Sequence, residues 1–138
     1  MSIVQVKALL VLAVALFACY LTEAKLRKLG CYNDSSEKRA MPVLIANFRR
    51  SDIDWNDLRR SVITKCKEMT KERRYKCFGI QFYAECWSGE EACTEYKRYG
   101  ESQECFCSGD DYKKHKKYEP CKDPVGGEYA NFVYEIDD

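Results

Sequence analysis

Cysteine constrains this chain more than any other feature. Nine occur in 138 residues, and their placement separates a leader from the rest. Lys7 is the only charge before the apolar run Ala8 to Ala18, and Thr22-Glu23-Ala24 supplies small residues at its first and third positions. A short basic start, an apolar stretch and a small-x-small end describe a secretory signal peptide, residues 1–24, with cleavage after Ala24. The strictly apolar run is about 11 residues long, short of the roughly 20 that a spanning helix needs, so no integral membrane span is expected. Cleavage removes Cys19 and leaves Cys31, Cys66, Cys77, Cys86, Cys93, Cys105, Cys107 and Cys121. An even set in a small exported chain reads as four disulfides.

Eight cysteines allow about a hundred connectivities. Cys105 and Cys107 lie too close in sequence for an unstrained mutual bridge, so they should bond to different partners. Paired C-x₂-C knuckles and a C-x-x-C dithiol are both absent, which argues against structural zinc and against redox catalysis. The bridges compensate for a modest core in a chain poor in Leu: each adds about 2–4 kcal/mol, against a typical whole stability of about 5–15 kcal/mol.

Composition removes several function classes. Lys+Arg 23 against Asp+Glu 22 gives a net charge of +1, unlike the basic profile of a nucleic-acid binder, so no nucleic-acid partner is expected. A chain 33% charged and 46% hydrophobic is not a disordered one. The lone His115 excludes a His-rich metal site, and neither G-x-S-x-G nor H-E-x-x-H occurs. We read the protein as non-enzymatic, without cofactor or metal. Asp52, Asp54 and Asp57 show no EF-hand spacing, and helix capping explains two of them.

Residues 25–138 read as one α+β domain. Leu29-Gly30-Cys31-Tyr32 suggests a strand, and Met41 to Phe48 an extended stretch. Asp54 is a fair N-cap for a helix reaching about Arg73, with Trp55, Leu58, Val62, Cys66 and Met69 on one face and Lys67 off it. Cys66 on that inward face suits a bridge into a sheet. Tyr75 to Tyr83 alternates as a strand: Phe78, Ile80 and Phe82 form the core face, while Cys77, Gly79, Gln81 and Tyr83 point the other way. A short helix is expected over Glu90 to Tyr99, stopped by Gly100, and a closing strand over Asn131 to Ile136.

These pieces resemble a known family when taken in order. Gly30-Cys31-Tyr32, Arg39-Ala40, the Cys66 helix followed by Tyr75, Phe78-Gly79-Ile80-Gln81-Phe82, Glu85-Cys86-Trp87-Ser88-Gly89 and Asn131-Phe132-Val133-Tyr134 look like a WSC domain. They also resemble a looser class of secreted cysteine-rich proteins of marine invertebrates such as corals and anemones, which shares Tyr99-Gly100-x-Ser102. The resemblance implies a PAN/apple-related fold, a curved antiparallel sheet packed against one main helix, and a role in extracellular carbohydrate recognition. Ser88 stands where the family often has cysteine, which leaves Cys77 and Cys93 for an altered bridge. On this topology Cys66 should pair with Cys86, linking helix to sheet.

Candidate site residues follow from chemistry. Tyr83, Glu85 and Trp87, with Gln81 on the Tyr83 strand face, offer aromatic planes for sugar C–H groups and oxygens for sugar hydroxyls. Lys113, Lys114, Lys116 and Lys117 around His115 form a cationic loop suited to an anionic surface. Asn33-Asp34-Ser35 is an N-glycosylation acceptor in a eukaryotic source. The expected function is extracellular binding, with a glycan or matrix component as partner. A structural matrix protein, of a skeleton, mucus or cuticle, and a venom or defence protein are the rivals.

Overall fold

The computed structural model describes residues 2–20, 25–51, 53–109 and 121–137. A first helix, α1 (Ile3–Tyr20), precedes the domain; Ile3, Val4 and Leu9 to Leu12 on it are exposed. Among the described residues no helix is long and apolar enough to cross a membrane. Strands β1 (Lys25–Asn33), β2 (Val43–Asn47), β3 (Cys77–Gln81), β4 (Glu85–Ser88) and β7 (Ala130–Asp137) form one antiparallel sheet in the order β1-β7-β3-β4-β2. Two short strands, β5 (Cys105–Phe106) and β6 (Val125–Gly126), pair beside it. The main helix α2 (Thr64–Glu72) extends a π-helical turn over Arg59–Ile63, and α3 (Ala92–Glu95) is a single turn. The protein is therefore a small disulfide-rich α+β domain.

Leu58, Val62, Ile63 and Cys66 press onto Phe78, Ile80, Phe132, Tyr134 and Ile136, all essentially removed from water. The period-two alternation of β7 puts its three large residues on this helix-covered face. The opposite face is also covered. Tyr32, Met41, Cys77, Trp87, Ala92 and Val133 form a second cluster there, roofed by the 34–42 loop and α3. All five residues of β3 are consequently buried, including Gly79 and Gln81. The face of Cys77, Gly79 and Gln81 is thus as buried as that of Phe78 and Ile80: a central strand sandwiched on both sides has no solvent face for the pattern to mark.

Three local expectations change. Asp57, not Asp54, caps the helix: its Oδ1 accepts from the Arg60 N–H at 3.1 Å, while Asp54 Oδ1 accepts from Asn56 in the preceding turn. Lys67 is buried, with its ammonium 3.3 Å from Glu68. Its long stem lies against the domain even though its position falls outside the apolar stripe. The Glu90 to Tyr99 helix shrinks to the one turn of α3, followed by turns up to Gly100 at φ +78.

Four disulfides join Cys31 to Cys105, Cys66 to Cys86, Cys77 to Cys93 and Cys107 to Cys121. Cys66–Cys86 ties α2 to β4, and Cys77–Cys93 ties α3 to β3. Cys105 and Cys107 go to separate partners. Several disulfides fit an oxidising, extracellular setting.

Candidate functional site

The hairpin between β3 and β4 turns on Phe82-Tyr83-Ala84. Phe82 and Tyr83 both lie in the left-handed region, at φ +47 and +57. Two successive left-handed residues define the kind of tight turn that Asn-Gly makes cheaply. With side chains beyond Cβ, each costs about 1–2 kcal/mol. Tertiary hydrogen bonds hold the turn nonetheless. The Phe82 N–H donates to the Gly127 carbonyl at 2.9 Å, and the Tyr83 N–H to the Gly126 carbonyl at 2.7 Å. The Tyr83 ring packs on Trp55 with centroids 5.3 Å apart.

Arg49 covers this tip. Its guanidinium carbon sits 3.6 Å over the Phe82 ring and 5.4 Å from that of Tyr83. Its Nη1 donates to Glu85 Oε1 at 3.3 Å. A hydrogen bond with Tyr83 first, against the opposing effect of burial, and then the Glu85 carboxylate raise its pKa above the ordinary value. A guanidinium is in any case a permanent cation. The other Glu85 oxygen accepts from Trp87 Nε1 at 2.9 Å. One carboxylate thus joins the hairpin tip to the indole two residues along the same strand face.

Beyond Trp87 the chain of contacts continues inward. The Arg39 guanidinium lies 4.0 Å over the indole ring. Its Nη1 donates to Asp34 Oδ2 at 3.1 Å and to Gln81 Oε1 at 3.2 Å. Gln81 Nε2 donates to Asp34 Oδ2 at 2.8 Å and to Asn131 Oδ1 at 3.4 Å, and Asp34 Oδ1 accepts from the Ala40 N–H. Each buried polar group here has a partner, as a low-dielectric interior requires.

The four expected ligand residues therefore divide. Tyr83 and Glu85 are half-buried at the rim. Gln81 is only 2% exposed, and both ends of its amide are engaged. Its grouping with Tyr83 on one strand face is corrected: alternation ends at Phe82, where the backbone turns left-handed. Trp87 is 9% exposed with Arg39 across its ring, so its face is not open to a sugar; it positions Glu85 instead. Sequence reasoning missed Arg49, Arg39 and Asp34 as members. No spacing rule marks them, since Arg49 and Glu85 are 36 residues apart.

The cationic loop Lys113, Lys114, His115, Lys116 and Lys117 lies outside the described residues, as does Asp52. Asp54 and Asp57 face Arg60 at 3.6 and 3.4 Å. Cys77, Cys93 and Glu135 bring possible ligand atoms within 4.8 Å of one another, but both sulfurs are spent in a disulfide and offer no thiolate.

Asn33 is a structural residue. Its Nδ2 donates to the Glu101 carbonyl at 2.9 Å and the Tyr99 carbonyl at 3.4 Å, stapling β1 to the 99–101 segment. N-glycosylation replaces one of those N–H groups with a sugar and breaks the bond it makes. Folded protein secreted by eukaryotic cells is accordingly expected to carry Asn33 unmodified. An intact mass showing a glycan there, on protein of undiminished thermal stability, would count against this.

No family model matches the chain, and no curated protein matches it either.

Proposed function

We propose that the protein is a secreted, non-enzymatic recognition module of WSC/PAN-like type whose ligand is an extracellular carbohydrate. In this reading α1 belongs to the export leader, and the bridges make the domain durable outside the cell. The observation that carries the proposal is the strained aromatic tip. Backbone strain that a glycine or asparagine would relieve persists where the surrounding structure enforces it, and such strain concentrates at functional sites. Here it places the Tyr83 ring, the Glu85 carboxylate and the Arg49 guanidinium together at the rim. The ring suits apolar sugar C–H groups; the carboxylate and guanidinium suit hydroxyl donors and acceptors. The hairpin stem is rigid, because Cys86 in β4 is bonded to Cys66 in α2.

A glycan array tests this. Wild-type protein is expected to bind a defined subset, and Tyr83→Ala to lose that signal by about tenfold, a loss of about 1.4 kcal/mol, with near-ultraviolet circular dichroism unchanged. Because the Tyr83 ring also packs on Trp55, Glu85→Gln is the second variant, and it should weaken binding without disturbing that contact. Absence of binding to every glycan would leave the matrix role as the better reading.

A further inference from the structure

The same rim is not electrically neutral. Among the described residues, Glu85 is the only carboxylate paired with Arg49. Next to Arg49 in the chain is Arg50, which is exposed, and on its other side Phe48 carries the Lys65 ammonium 5.7 Å above its ring. Among the described residues neither Arg50 nor Lys65 makes an ion pair with a carboxylate. Arg50, as a chain neighbour, and Lys65, through Phe48, thus add two cations to the neighbourhood of Arg49.

Arg49 is also under-used. A guanidinium has five N–H donors in a flat fork, and an oxyanion accepts two of them in parallel. Arg49 hydrogen-bonds to Glu85 through Nη1 and to Tyr83, but its Nε is shut away from water with no hydrogen-bond partner. A buried donor left unmade is a standing cost that native structures rarely tolerate without a reason. The side chain is 32% exposed and rests flat on Phe82. Rolling outward on that ring would present the Nε–Nη2 edge while Nη1 keeps Glu85. The stacked aromatic orients the fork and shields it from water, which strengthens a charge-assisted bond.

From this geometry we infer that the Arg49 end of the site takes an acidic group of the saccharide, a sulfate ester or a uronate carboxylate, with Arg50 and Lys65 supplying the surrounding field. This rests on the carbohydrate reading above and narrows its ligand class. Neutral sugar rings lie along Tyr83 and Glu85, and the acidic substituent meets Arg49.

The test compares dextran sulfate with unsulfated dextran of equal length on the full mature domain, by calorimetry at two salt concentrations. Dextran sulfate is expected to bind, and to weaken steeply as salt rises. Arg49→Gln should lose about tenfold or more in affinity, the scale of one bidentate charge-assisted contact. Arg50→Gln and Lys65→Gln, which remove no ion pair, should each lose about two- to fivefold with the fold untouched. Three results would overturn the inference. One is equal affinity for the two dextrans. Another is an Arg49→Gln, Arg50→Gln double variant that binds dextran sulfate normally while neutralising Lys113, Lys114, Lys116 and Lys117 abolishes it. The third is binding to phosphatidylserine vesicles or to inorganic sulfate alone but not to the polymer. Binding on the glycan array confined to neutral sugars would overturn this inference and leave the carbohydrate reading standing; silence on both assays would remove both.

Discussion

Gly126→Ala is expected to abolish the native domain. A Cβ at this position would stand 1.8 Å from the Ala130 carbonyl oxygen and 2.6 Å from that of Ile80. Both obstacles are backbone atoms, one in β7 and one in β3, so no side chain can swing aside. β6 would have to lift off the main sheet, breaking its pairing with Cys105 and the 2.7 Å bond that the Gly126 carbonyl accepts from Tyr83. That is overpacking against the rigid centre of the fold. We expect a loss above about 4 kcal/mol, the diagnostic tail of point substitutions, against a typical total of about 5–15 kcal/mol. Urea denaturation followed by circular dichroism measures it, with secreted yield as a second readout. Gly100→Ala is the internal control. Its φ of +78 strains an alanine, but nothing lies within 4 Å of the new methyl group, so the cost should stay near 1 kcal/mol. A Gly126→Ala protein with a wild-type midpoint would mean that β6 does not seat as described, and the support for the Phe82-Tyr83 tip would go with it.

That dependence explains why the fold was more legible than the site. Leu58, Val62 and Cys66 recur at helical spacing, and Phe132, Tyr134 and Ile136 alternate, because each set meets a single partner surface. The pattern then reports the buried face directly. β3 defeated the same logic, since Cys77, Gly79 and Gln81 are as buried as Phe78 and Ile80. Lys67 misled for the opposite reason: a charge in the sequence conceals an aliphatic stem that packs. The hairpin tip was illegible in principle. Phe82-Tyr83 carries no turn chemistry of its own, so its left-handed backbone is imposed from Gly126 and Gly127, over forty positions along the chain. Tyr83 and Glu85 were found because aromatic and carboxylate side chains are conspicuous. Arg49 and Arg39 were missed because arginine in a highly charged chain is not. What singles them out is a ring beneath each guanidinium, and only the folded chain supplies that.

Breaking the Cys31–Cys105 bridge should be the most damaging of the four disulfide removals. Its ends lie 74 residues apart, against 20 for Cys66–Cys86, 16 for Cys77–Cys93 and 14 for Cys107–Cys121. Loop-closure entropy alone assigns about 4–5 kcal/mol to the longest loop and about 3 kcal/mol to the shortest. Cys66–Cys86 and Cys77–Cys93 both lie inside the longest loop and shorten its effective length, so the lower end of that range applies. Position adds to the entropic cost. Cys31 and Cys105 are 4% and 1% exposed, and their bond fastens β1 to β5, the strand that pairs with β6 beneath the hairpin tip. Cys107 and Cys121 are half-buried at the margin. Cys31→Ala with Cys105→Ala is thus expected to lower the unfolding free energy by about 4 kcal/mol, mainly by freeing the denatured chain, with the urea m-value rising as that chain expands. Cys107→Ala with Cys121→Ala should cost less than the loop estimate, because its half-buried, marginal setting removes little packing. Weakened glycan binding should accompany the first pair and not the second, since only the first disturbs the support of Tyr83. The reverse order of stabilities in denaturant would show that packing at the margin, and not closure of the long loop, dominates. The hairpin tip would then draw its rigidity from Cys66–Cys86 alone.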